Sequence, residues 1–111
     1  MRGCWLQLST NRRMNALEII ATLTGQGFTK DMYQSLRQGV NWDAQPVEGW
    51  LAHAVYFDDS GGIHMTNMWR SIDHMQNGFA TRLGPVMRQI GIPPPHGEVH
   101  ETFNLSVFQT K

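Results

Sequence analysis

Apolar residues change their spacing several times along the chain, and each change marks a boundary between elements. Leu17-Glu18-Ile19-Ile20-Ala21-Thr22-Leu23 is short, rich in branched residues and apolar on both alternating faces, the pattern of a central strand. Gly25 and Gly27 break it. Thr29 then offers an N-cap oxygen to a segment in which Phe28, Met32, Tyr33, Leu36 and Val40 share one stripe, which predicts a helix over 29–39 ended near Gly39. Asn41 to Glu48 is polar, contains Pro46 and reads as a loop. Strands are expected over 49–57 and 62–70, joined as a hairpin by the turn formers Asp58-Asp59-Ser60-Gly61.

Beyond Ser71, a good N-cap, the residues Met75, Phe79, Leu83, Val86 and Ile90 recur at helical spacing, so one face is apolar from about residue 72 to residue 91. Pro85 lies inside that pattern and removes the amide that would bond the carbonyl of Thr81, so a kink is expected near Gly84. Gly91 closes the helix, Pro93-Pro94-Pro95 is a stiff spacer, and 98–108 alternates as a last strand with Val99, Phe103, Leu105 and Val107 on one face.

Strand, helix, strand, strand, helix, strand is the ferredoxin-like βαββαβ order. Right-handed crossovers place both helices on one face of a four-stranded antiparallel sheet, in spatial order 4-1-3-2. The other face is expected to carry Ile20, Trp50 and Met68, too apolar to stay wet. A second copy packed sheet to sheet would cover it, which predicts a homodimer and a dimeric α/β barrel.

Composition narrows the classes. The 111 residues suffice for one compact domain, and nine basic residues balance nine acidic ones. No basic field is available to hold a phosphate backbone, so no nucleic acid is expected. Arg2, Arg12 and Arg13 are the only charged residues among the first thirteen, which leaves six basic against nine acidic residues from Met14 onward. Residues 1–13 lack the periodicity that follows and read as an extension, disordered or lying on the surface, ahead of a single domain over 14–111. Cys4 is the sole cysteine, no apolar run approaches the ~20 residues of a spanning helix, and the start does not read as a secretory signal. A cytoplasmic protein with no membrane partner is expected. Gly-x-Gly-x-x-Gly, P-loop and Gly-x-Ser-x-Gly motifs are all lacking.

The hairpin Gly49-Trp50-Leu51-Ala52-His53-Ala54 and Gly62-Ile63-His64-Met65-Thr66-Asn67-Met68-Trp69-Arg70-Ser71, with Phe79-Ala80-Thr81-Arg82-Leu83-Gly84-Pro85 and Phe103-Asn104-Leu105, resembles the small dimeric α/β-barrel proteins related to antibiotic biosynthesis monooxygenases. The likeness runs from about residue 16 to residue 108. It rests on a Trp followed two residues later by Ser, an Arg-Leu-x-Pro and an Asn-Leu. Members often carry Asp and Glu where this chain has Asn67 and Arg70, so no carboxylate role carries over to these positions. The resemblance implies a ferredoxin-like barrel with chemistry drawn from cofactor-independent oxygenases, haem-degrading enzymes, isomerases or proteins with no assigned activity. The haem-degrading members place a Trp and a ligating His where this chain has residues near Gly78 and Arg88, so haem is not expected unless His74 takes the ligand role, and no other cofactor is expected.

Five histidines invite a catalytic reading, and the hairpin register decides which of them face inward. With an even loop, His53 shares a face with His64, Thr66 and Met68. With an odd loop, or a bulge at Gly61-Gly62, it shares one with Met65, Asn67 and Trp69. The second register joins the two more apolar faces against the helices and is favoured. His53 would then act as a base, Asn67 would donate to a developing enolate, and Trp69 would stack on an aromatic substrate. Arg82, Tyr33 and Leu51 complete the expected substrate-binding set.

A plainer reading has each of these side chains satisfied inside an ordinary core. Glu101 is unsuited to partner His53, because the two lie on opposite edge strands roughly 14 Å apart at ~4.8 Å per spacing. His64 and His100 would point to the dimer face, with no third ligand to make a metal site, and His74 and His96 read as solvated. The expected function is oxygenation or related proton transfer on an aromatic or polyketide-like molecule without a cofactor. The alternative is a ligand-binding or accessory protein of the same fold.

Overall fold

The computed structural model describes residues 17–108, so the expected extension over 1–13 and Cys4 lie outside the described residues. Strand β1 (Ile19–Gly25) leads into helix α1 (Lys30–Val40), followed by β2 (Trp50–Phe57), β3 (Ile63–Trp69), α2 (Ile72–Gly78), a π-helical turn (Phe79–Leu83), α3 (Gly84–Ile90) and β4 (His96–Glu101). The strands form one antiparallel sheet in the order β2-β3-β1-β4. This is the ferredoxin-like α+β arrangement anticipated from the element order.

Local chemistry sets each boundary. Thr29 caps α1 by accepting from the Met32 amide at 3.1 Å, and Asn41 closes the helix in the left-handed region at φ 60°. Tyr33, Leu36 and Val40 are the buried residues of α1, spaced so that one stripe faces the sheet. In the β2–β3 turn the Asp58 carboxylate accepts from the amides of Ser60 and Gly62, at 3.0 and 2.8 Å, and from the Ser60 hydroxyl. His64 adds a contact to the same carboxylate at 2.8 Å. These bonds hold the Asp58 carboxyl well below its usual range, with His64 the largest cause and Ser60 next.

The inner face of the sheet is built in rows. Trp69 lies between Ile19 and Trp50, Asn67 between Ala21 and His53, and Met65 between Leu23 and Val55. The turn holds five residues, because Phe57 pairs with Ile63. An odd loop therefore brings His53 onto the face of Asn67.

Four expectations need correction. A bulge that the strand pattern does not show lies between Trp50 and Ala52. One extra residue at Leu51 turns Trp50 to the helix side, so Trp50 does not belong to the outer face. The long helix does not simply kink at Gly84. It widens into the π turn, where the Gly84 amide bonds the Phe79 carbonyl, and a Cβ on Gly84 would lie 2.6 Å from that oxygen. The wider turn absorbs the amide that Pro85 lacks. The last strand runs over His96–Glu101, not 98–108, because its partner β1 begins at Ile19, opposite Glu101. Beyond it, Thr102 bonds the Glu18 carbonyl through its amide and hydroxyl, at 2.9 and 3.0 Å, and Phe103 then turns fully outward. His74 is also half-buried instead of solvated, packed against Gly49.

Candidate functional site

Between the sheet and the helices lies an apolar cavity, and one polar chain enters it from β2 and β3. The Trp50 indole Nε1–H donates to Asn67 Oδ1 at 3.1 Å, and His53 Nδ1 lies 2.6 Å from the same oxygen. An indole nitrogen only donates, so the atom facing it is the amide oxygen, and His53 must present Nδ1–H to it. The basic lone pair is thereby assigned to Nε2. The Tyr33 hydroxyl lies 2.8 Å from that nitrogen and donates to it.

The imidazole is thus held at both ends in one tautomer. Burial is the main cause that lowers its pKa below 6.5, partly opposed by the bond to Asn67 and reinforced by the Arg37 charge. Burial likewise raises Tyr33 above 10.0, with Arg37 pulling the other way. At neutral pH the resting pair is a neutral imidazole and a protonated phenol.

Aromatic rings enclose this pair. Tyr33 stacks on His53 at 5.8 Å between centroids, Trp50 lies 5.0 Å from it, and Trp42 meets it edge-on at 5.4 Å. Trp50 stacks nearly parallel on Trp69 at 5.4 Å and 8°. Trp69 is fully buried and lines the cavity, yet its Nε1–H has no hydrogen-bond partner among the described residues. An unmet buried donor costs about 1–3 kcal/mol, which a ligand oxygen would recover.

Of the candidate site residues, His53, Asn67, Trp69 and Tyr33 line one cavity, whereas Leu51 and Arg82 do not line it. Leu51 is the bulged residue and sits on the outside of β2, 38% exposed. Arg82 turns toward the α1–β2 loop, where one guanidinium nitrogen donates to the carbonyls of Val40 and Gln45 at 3.0 and 2.7 Å. Trp42 and Trp50 were missed as wall residues. Trp50 was hidden by the bulge, and the one signal for Trp42 was a large aromatic side chain in an otherwise polar loop. Among the described residues, no group of three or more His, Cys, Asp or Glu side chains is placed to hold a metal ion.

No family model matches the sequence, and no curated protein is significantly similar to it. Solved structures of the same fold do match. A conserved protein from Methanosarcina mazei aligns at 9% identity, over 80% of this chain and 96% of its own, with a TM-score of 0.60. An alanine variant of SnoaB, a cofactor-independent oxygenase from Streptomyces nogalater, aligns at 10% identity over 80% and 94%, with a TM-score of 0.57. A protein from Chloroflexus aurantiacus, provisionally named an antibiotic biosynthesis monooxygenase, aligns at 17% identity over 83% and 95%, with a TM-score of 0.53. The chain shares the ferredoxin-like fold of these antibiotic biosynthesis monooxygenase-like structures. At such identities the likeness concerns the fold.

Proposed function

We propose that the protein catalyses cofactor-independent oxygenation, or closely related proton transfer, on an aromatic or polyketide-like small molecule. The observation that carries this reading is the Tyr33–His53–Asn67 chain at the wall of a cavity lined by aromatic and aliphatic side chains. Because Tyr33 caps Nε2, a substrate proton passes to the Tyr33 oxygen as the phenol proton moves to His53. Asn67 Oδ1 then steadies the imidazolium through Nδ1–H. The resulting substrate anion reduces dioxygen, which adds at a ring carbon that still bears a hydrogen; the peroxide takes back the proton held by His53, and loss of water from the H–C–OOH group leaves a carbonyl. Dioxygen is both oxidant and oxygen source, and the Trp69 N–H is available to an oxygen of the substrate.

The test is dioxygen uptake by purified protein, free of metal and flavin, with acidic polycyclic phenols. Uptake with one carbonyl formed per dioxygen is expected. Saturable binding without consumption would instead favour the ligand-binding alternative. That alternative draws support from the closed aromatic wall, which suits a binder as well as a catalyst.

We also infer that two copies pair through the outer sheet face. Ile20, Met68 and Ala52 form one continuous row there, and Tyr56 on the same face is 62% exposed. Phe103, Val107 and Phe108 beyond β4 are 105%, 76% and 84% exposed in the single chain, apolar side chains that a second copy could cover. Native mass spectrometry is expected to give a dimer, and a clean monomer at micromolar concentration would refute the pairing. Among the described residues no helix is long and apolar enough to cross a membrane.

A further inference from the structure

We propose that the open cleft outside Trp42 is the outer half of the substrate site, with Trp42 as a movable partition between cleft and cavity. This rests on the small-molecule reading above and adds the route and shape of the ligand. The interior cavity measures about 20 Å³, room for little more than a water. The cleft measures about 140 Å³. Sites for drug-sized ligands run to roughly 300–1,000 Å³, so neither void suffices alone, and the two approach the lower end of that range only with the space that Trp42 vacates. They share three wall residues, Trp42, Trp50 and His53, and so adjoin one another.

Two of those three are fixed. Trp50 is bonded to Asn67 and stacked on Trp69, and His53 is bonded through both nitrogens. The contacts that hold Trp42 are edge-on ring contacts, at 6.0 Å to Tyr33, 5.0 Å to Trp50 and 5.4 Å to His53. Trp42 also rides on the α1–β2 loop, which Arg82 latches through the carbonyls of Val40 and Gln45. Displacing that one ring joins the two voids along the His53 and Trp50 faces, with the Tyr33–His53 pair at the inner end. The remaining cleft residues, Pro46, Val47, Leu51 and Ala52, are apolar and uncharged. The joined site therefore fits a flat, fused-ring aromatic with an acidic hydroxyl at its inner end and no charge at its outer end.

The test uses 2-naphthol as probe, followed by its own emission in stopped flow under dioxygen-free conditions. Trp42→Ala is expected to speed association about tenfold, and Arg82→Gln, which frees the latch without touching either void, several-fold. Leu51→Glu, which places a charge in the cleft, is expected to weaken affinity about tenfold. Association rates within twofold of wild type for both Trp42→Ala and Arg82→Gln would overturn the partition. Unchanged affinity in Leu51→Glu, or no saturable binding in any form, would overturn the outer site. Should Trp42→Ala fail to fold, Arg82→Gln and Leu51→Glu carry the test. No turnover is measured, so a protein that binds by this route yet never consumes a phenol keeps the two-part site and loses the oxygenase reading.

Discussion

His53→Gln is expected to lower turnover by about 10²–10⁴, the range general-base catalysis ordinarily supplies, while the melting temperature stays within a few degrees. Glutamine keeps a donor for Asn67 and an acceptor for the Tyr33 hydroxyl, so the bonds at 2.6 and 2.8 Å have replacements. It has no basic lone pair. Under the ligand-binding alternative the same change alters affinity alone, and a variant that consumes substrate at an undiminished rate sinks the His53 assignment. Tyr33→Phe separates a relay from direct attack by His53. A relay loses a comparable factor, whereas direct proton abstraction would be freed by removing the cap on Nε2.

The pH dependence follows from the lowered His53 pKa, whose main cause is burial. Activity needs the neutral imidazole, so the rate should fall on the acid side with a midpoint below 6.5. The stability linkage has the same sense. Between the folded value and 6.5 the unfolded chain binds more protons, so the contribution of neutral His53 is complete above 6.5 and is lost as pH falls toward the folded value. Asp58, also lowered, acts further down. Its contribution is present above the unfolded carboxylate range and is lost only in stronger acid.

The partnership of His53 with Asn67 was legible because strand periodicity is strict. Once the apolar faces Val55–Phe57 and Ile63–Met65 are put together, the register follows, and the odd turn agrees. Hydropathy does not carry a bulge. Trp50 and Leu51 are both apolar, so exchanging their faces leaves the pattern unchanged, and that single ambiguity misplaced one residue in each direction. The Arg82 side chain was unreadable for another reason. Its partners are the backbone carbonyls of Val40 and Gln45, and the geometry that brings a π turn beside a loop is not written in side-chain chemistry.

Gly49 directly precedes the bulged end of β2, so Gly49→Ala should reach the site from outside it. Gly49 sits at φ +82°, where an alanine costs roughly 1–2 kcal/mol. Its added Cβ would lie 2.4 to 2.5 Å from Cγ, Cβ and Cδ2 of His74. The ring is tied by the Ser71 hydroxyl, which lies 2.7 Å from Nδ1, and the backbone beneath it by the His74 amide, which donates to the same hydroxyl at 3.2 Å as the N-cap of α2 is formed. Overpacking adds about 1–3 kcal/mol, and at about 4 °C per kcal/mol for a domain just above 100 residues the melting temperature should fall by roughly 8–20 °C. The Gly49 carbonyl also accepts from the Arg70 amide at 2.8 Å, the bond that closes the sheet just ahead of the bulge. Moving it shifts Trp50, and with Trp50 one of the two donors that orient Asn67.

Adding His74→Gly, which removes Cβ as well as the ring, to Gly49→Ala should relieve the collision while leaving the cost of the left-handed backbone. The two changes should therefore couple by at least about 1 kcal/mol in a double-mutant cycle. Additive effects, or a Gly49→Ala protein that melts within two or three degrees of wild type, would mean that this contact does not set the cost of the change.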